Sequence, residues 1–127
     1  MNAGDSIMSA ALRSRIRNLS ATAENQYHCV MEFDPDFTGF AGHFEGNPIA
    51  PGVCLIEAAR IIAEEATQKA LRTVTISQCR FRRPVFAGEH ADVTLKLSAD
   101  AGKVKIQSEF RVDGAISAQM RLEAEIR

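Results

Sequence analysis

The feature that most constrains this chain is a change of character at residue 53. Residues 42 to 52 carry Gly42, Gly46, Pro48, Pro51 and Gly52. That density excludes a regular element and predicts a loop. From Val53 to about Ala70 there is neither Gly nor Pro, and Ala, Ile, Leu, Glu and Arg dominate, all compatible with a helix. The first half of that run (Val53, Leu55, Ile56, Ala58, Ala59, Ile61, Ile62 and Ala63) is apolar nearly all round, the pattern of a buried helix. Its second half, with Glu64, Glu65, Gln68 and Lys69, is polar and is expected to reach solvent. A helix apolar on all sides needs walls, and the rest of the chain must supply them.

Those walls read as strands. After Leu71 the chain offers Val74 to Phe81, closed by Pro84, then His90 to Ser98 with Val93, Leu95 and Leu97 alternating. Asp100-Ala101-Gly102 is a hairpin turn, and Asp113-Gly114 is the strongest short hairpin signal in the chain. Between them Val104, Ile106, Phe110 and Val112 share one face. The last strand puts Ile116, Ala118, Met120, Leu122, Ala124 and Ile126 on one face, while Lys103, Lys105, Gln107, Glu109, Arg111, Gln119, Arg121, Glu123 and Glu125 fall on the other. Consecutive strands joined by short turns predict an antiparallel sheet with one apolar and one polar face. Before the loop, Tyr27, Cys29, Met31 and Phe33 alternate as a strand, which Asp34-Pro35-Asp36 ends. Residues 11 to 22 fit both a helix and a strand, and a strand from near Ser14 is the reading preferred. Residues 1 to 10 read as frayed. Phe37, Phe40 and Phe44 cluster before the loop and are expected to pack it onto the core. The fold class is therefore α+β, one buried helix wrapped by an antiparallel sheet, with 1–127 as a single domain.

Bulk properties narrow the function. With 127 residues the length fits one domain. A formal net charge of −1 gives no electrostatic case for nucleic-acid binding. No apolar stretch approaches the ~20 residues that cross a bilayer. The start, Met1-Asn2-Ala3-Gly4-Asp5-Ser6, does not read as a signal peptide. Cys29, Cys54 and Cys79 are an odd, widely spaced set without a CxxC pair, so a reducing cytoplasm is the expected home. His28 and His90 have no partners at metal-ligand spacing.

The loop and helix carry the chemistry. His43 changes charge near neutral pH without help. Glu57 falls about one and a half turns into the helix, among Ile56, Ala58, Ala59, Ile61 and Ile62. A carboxylate in apolar surroundings tends to hold a proton near pH 7. Pro51 and Gly52 suit a helix start, whose first N–H groups have no intrahelical acceptor. Base, acid and N–H donors together make an acid–base site. Residue types alone leave a plainer reading open: a turn-stabilising histidine, and a carboxylate at the solvent edge of a helix.

The string His43-Phe44-x-Gly46-x-Pro48-Ile49-x-Pro51-Gly52-Val53-x-x-x-Glu57-Ala58 resembles the signature of the 3-hydroxyacyl-acyl carrier protein dehydratases, a family with the hot-dog fold. Phe81-Arg82-Arg83-Pro84-Val85-x-x-Gly88-Glu89 is similar to a second segment of that family. The resemblance implies that His43 takes the proton from C2 of the acyl chain. Glu57 would help the 3-hydroxyl leave as water or position that water. The Gly52 N–H would polarise the thioester carbonyl, and the Ile49 carbonyl would accept from the imidazole. Phe44, Pro51 and Val53 would line the substrate. It implies a homodimer with the site shared between subunits, and no metal or organic cofactor. Several positions depart from the family pattern: Glu45 stands where Pro is usual, Ala50 for Met or Leu, Ile61 for Gln, and Ala87 for Pro. The proline-histidine-rich N-terminal loop of the housekeeping enzyme has no counterpart. These departures point to a divergent or pathway-specific member.

The expectation is thus a dehydratase acting on acyl carrier protein thioesters, with neither nucleic acid nor membrane as partner. Arg80, Arg82 and Arg83 form a short basic cluster that either docks the acidic carrier or is simply a solvated strand end. Two rival readings are a thioesterase on the same fold and a non-catalytic subunit that binds the acyl carrier.

Overall fold

The computed structural model describes residues 5–40 and 49–127. In chain order the elements are α1 (Ile7–Arg13), β1 (Ile16–Ala23), β2 (Gln26–Phe33), a short 3-10 turn (Thr38–Phe40), α2 (Gly52–Thr67), β3 (Leu71–Phe81), β4 (Glu89–Asp100), β5 (Lys103–Val112) and β6 (Ala115–Ile126). The strands form one sheet of six among the described residues, in the order β1-β2-β4-β5-β6-β3. Every neighbouring pair is antiparallel. The chain leaves β2, passes through α2, and returns as β3 at the far edge. α2 therefore has to cross the sheet, and it does so along the apolar face.

Alternation explains that face. Ala91, Val93, Leu95 and Leu97 on β4, Val104, Ile106 and Phe110 on β5, and Ala118, Met120, Leu122 and Ala124 on β6 are all buried. Opposite them α2 presents Leu55, Ala58, Ala59, Ile62 and Ala63. Three of those five are alanines, which lets the helix backbone lie close to the sheet. A bulge between Phe110 and Arg111 shifts the β5–β6 register, so the consecutive residues Ser117 and Ala118 are both buried. The β4–β5 and β5–β6 turns place Ala101 and Gly102, then Asp113 and Gly114, at positive φ, the geometry of a two-residue hairpin that matches strand twist. Phe33, Phe37 and Phe40 stack edge to face with centroids 5.4 Å apart. They close one end of the core, as expected of Phe37 and Phe40; Phe44 lies outside the described residues.

Three expectations are corrected. Residues 7–10, read as frayed, belong to α1, which Ser6 caps by accepting from the Ser9 N–H at 3.0 Å. α2 ends at Thr67 rather than near Ala70, because Gln68 turns left-handed (φ 56, ψ 38) and its N–H bonds back to the Glu64 carbonyl. Glu64 does not reach solvent. Its carboxylate sits among Arg13 Nη2 at 2.7 Å, Arg60 Nη1 at 3.1 Å and the Leu71 N–H at 2.7 Å. Burial alone would push that carboxyl up. The Arg13 and Leu71 hydrogen bonds, with the charges of Arg60 and Arg13, outweigh it and hold Glu64 below its ordinary value. Arg13 also binds Asp5 and Glu65 at 2.9 Å each, so one guanidinium ties α1 to α2.

Candidate active site

The start of α2 is built by a cross-chain clasp. The Ala50 N–H donates to the Val85 carbonyl at 2.8 Å, and Ile49 forms an isolated antiparallel bridge with Phe86. The two segments singled out in the sequence, around residues 49–53 and 81–89, therefore meet in space. Glu89 holds the second segment in place. It accepts both prongs of the Arg83 guanidinium, at 3.0 and 2.7 Å, and the Phe86 N–H at 2.8 Å. The Arg83 hydrogen bonds hold the Glu89 carboxyl below its ordinary value, against a smaller upward push from burial. Ser117 Oγ donates to the Arg83 carbonyl at 2.6 Å, and the Arg82 N–H donates to the Ser117 carbonyl at 2.7 Å.

Pro51 takes the extended conformation just before the helix and Gly52 opens it. A Cβ at Gly52 would lie 2.8 Å from Cζ of Phe81. Glycine here allows the Phe81 ring to lie against the first turn. The Gly52 N–H belongs to the group that α2 itself cannot satisfy.

Val53 and Glu57 lie one turn apart, with Ile56 beside them, on the flank of α2 that faces the β3 edge of the sheet. Val53 is 72% exposed. Glu57 departs from expectation in its surroundings. Its side chain is 35% exposed, and its carboxylate accepts from Nε of Arg60. The apolar residues Ala58, Ala59, Ile61 and Ile62 fall on the buried faces, so they do not enclose it. Together Val53, Ile56, Glu57, Arg60, Thr73 and Ile76 line a cleft of about 560 Å³ between α2 and β3. His43 and Phe44 lie outside the described residues. Sequence reading missed Arg60; the signal available was the Glu57-x-x-Arg60 spacing, which puts opposite charges on one helix face.

Of the basic cluster, Arg83 is engaged internally by Glu89, while Arg80 and Arg82 are exposed. Cys54 is buried, with Sγ 3.7 Å from the sulfur of Met8, and burial pushes its thiol up. Among the described residues no group of three His, Cys, Asp or Glu side chains is placed to hold a metal ion, and no helix is long and apolar enough to cross a membrane.

Residues 19–121 match the family model of the ApeI-like dehydratases, described as ApeI dehydratase. The 3-hydroxyacyl-[acyl-carrier-protein] dehydratase FabZ of Campylobacter hominis is 32% identical over 98 residues, 68% of this chain and 68% of that protein. FabZ of Rhizobium etli is 37% identical over 95 residues, 68% of this chain and 61% of that protein. The matched region spans about three fifths to two thirds of the length of these curated relatives. Among solved structures, the dehydratase heterocomplex ApeI:P from Xenorhabdus doucetiae superposes with a TM-score of 0.74 at 17% identity, over 87% of this chain and 96% of that one. The E. coli PaaI protein of the phenylacetic acid degradation operon gives 0.68 at 17% identity, over 93% and 88%. These structures share the hot-dog fold with this chain.

Proposed function

This chain belongs to the ApeI-like dehydratase family, and from that membership we propose that it removes water reversibly from a 3-hydroxyacyl thioester carried on acyl carrier protein. Dehydratase relatives among the curated proteins assign it as a hydro-lyase. The observation that carries the reading is the clasp of Ile49–Ala50 against Val85–Phe86, which joins both family segments at the start of α2, five residues before Glu57.

In this mechanism the thioester carbonyl lies toward the Gly52 N–H, which favours the enolate-like oxygen as C2 loses its proton. His43 takes that proton, with its imidazole steadied by the Ile49 carbonyl. The C3–O bond then breaks, the electron pair from C2–H becomes the trans double bond, and the hydroxyl departs as water. Glu57 either delivers a proton to that hydroxyl or orients the leaving water. Pro51, Val53 and Phe44 line the thioester. Arg80 and Arg82, which are exposed and have no carboxylate partner among the described residues, would meet an acidic carrier. We place the working unit as a homodimer in the cytoplasm. An exposed apolar edge at Val53, Val74 and Ile76 supports the first statement, and three unpaired cysteines support the second.

The test is turnover in both directions on carrier-bound substrates of several lengths, for wild type, His43→Ala and Glu57→Gln. Each variant is expected to lose roughly a hundredfold or more with its fold intact. Wild-type rates in His43→Ala would overturn the mechanism. Free thiol release in place of enoyl product would make the protein a thioesterase. Tight carrier binding with no turnover at any length would make it a binding subunit.

A further inference from the structure

The Glu57 carboxylate does not stand alone on its helix face. Arg60 meets it from one turn further along α2. Arg60 is itself only 9% exposed, unusual for an arginine without fixed partners. Its guanidinium is held from two more directions. Nη1 donates to the Leu71 carbonyl at 2.9 Å and lies 3.1 Å from Oε2 of Glu64. Leu71 is the first residue of β3, and its N–H donates to the same Glu64 oxygen at 2.7 Å. Arg13 on α1 fixes the other oxygen of Glu64 at 2.7 Å. The planar fork therefore has one prong in the site and another in a buried junction.

We propose that Arg60 is a positioning residue, holding the Glu57 carboxylate at the angle the reaction requires and tying that angle to the α2–β3 junction. The inference rests on the reading of Glu57 as the residue that handles the departing hydroxyl. A structural staple alone would need only the Leu71 and Glu64 contacts; the bond to Glu57 adds nothing to that junction. It does remove rotamer freedom from a side chain that is otherwise one-third exposed. Lysine could not replace it, because a single ammonium on a flexible stem cannot face Glu57, Glu64 and the Leu71 carbonyl together.

The experiment is a cycle of Glu57→Gln, Arg60→Met and the double variant, with Arg60→Lys beside them, reading kcat, KM and Tm on a carrier-bound enoyl substrate. Arg60→Met is expected to lower kcat by roughly tenfold to a hundredfold with KM changed less than about threefold, the scale of a misplaced catalytic group. In the Glu57→Gln background the same change is expected to lower kcat no further. Should Arg60→Met not fold, Arg60→Lys keeps a cation on the helix, and it is expected to melt near wild type with kcat still reduced. Wild-type kcat in either folded variant would overturn the proposal. So would an equal further loss in the Glu57→Gln background. Wild-type kcat in Glu57→Gln alone would instead overturn the role of Glu57, a distinct result from failure at Arg60.

Discussion

At the scale of single residues, the described core holds one side chain that burial should penalise. Ser108 is 3% exposed, and its hydroxyl has no hydrogen-bond partner among the described residues. It sits on the apolar face of β5, between Leu95 on β4 and Met120 on β6. An unpaired buried hydroxyl costs about 1–3 kcal/mol. Ser108→Ala is therefore expected to leave Tm unchanged or raise it by a few degrees, as thermal denaturation would read. A clear fall in Tm would show that the hydroxyl is bonded in the folded protein. Single residues also show where sequence reasoning stops. Glu57 was legible because a carboxylate interrupts an apolar helix. Its surroundings were not, since neighbours in sequence lie around the helix while neighbours in space lie one turn away. Arg60 at i+3 is the real contact, and Ile61 and Ile62 point elsewhere. In the same way the polarity of Glu64 suggested solvent, yet three cations and an N–H bury it.

At the scale of elements, β2 and β4 to β6 were legible because strict alternation and two-residue turns are local signals. α1 was not. It has seven residues, too few to be stable alone, and its Ile7 is 80% exposed. What holds it is Leu12, fully buried in the core, together with the distant charge of Glu64 and Glu65, with Asp5 beside it. This anchoring has a pH signature. Asp5 is held below its ordinary value by its hydrogen bonds from Arg13, and Glu64 is lowered as well. A carboxyl with a depressed folded pKa adds stability that is fully present above its unfolded value. For Glu64 that reference is 4.5 and for Asp5 it is 3.8. The contribution is lost as pH falls through the lower folded values. Tm is therefore expected to be flat from pH 7 to about pH 5 and to drop below pH 4.5. Asp34, paired with Arg15, and Glu89, paired with Arg83, act in the same direction. Arg13→Met should lower stability at neutral pH by about 3 kcal/mol, because it leaves Glu64 and Asp5 short of a buried partner. It should also make the acid limb shallower. An acid limb of unchanged slope in that variant would remove Arg13 from the account.

At the scale of the whole molecule, the sheet ends at β1 on one side and β3 on the other. Both edges carry bulges: β1 where Asn18 takes a positive φ, and β3 where Gln78 does. They differ in what they expose. β1 shows mainly small and polar residues, Arg17, Asn18, Ser20, Ala21, Thr22 and Ala23. β3 shows Val74 at 41% and Ile76 at 51%, and Ile76 shares the Glu57 cleft with Val53 at 72%. An edge strand with unpaired backbone groups and exposed branched side chains is a template for another strand. A second copy is the occupant that fits the homodimer proposed above: Glu57 is one-third exposed beside this edge, and the family resemblance implies a site shared between subunits. Val74→Lys puts a charge on that edge while sparing the core and the residues that line the Glu57 cleft. It is expected to shift the protein from dimer to monomer in sedimentation, to keep the far-UV spectrum, and to lose dehydration along with the dimer. A wild-type monomer with full turnover would show that one chain builds the site alone. A dimeric Val74→Lys variant would move the interface away from β3.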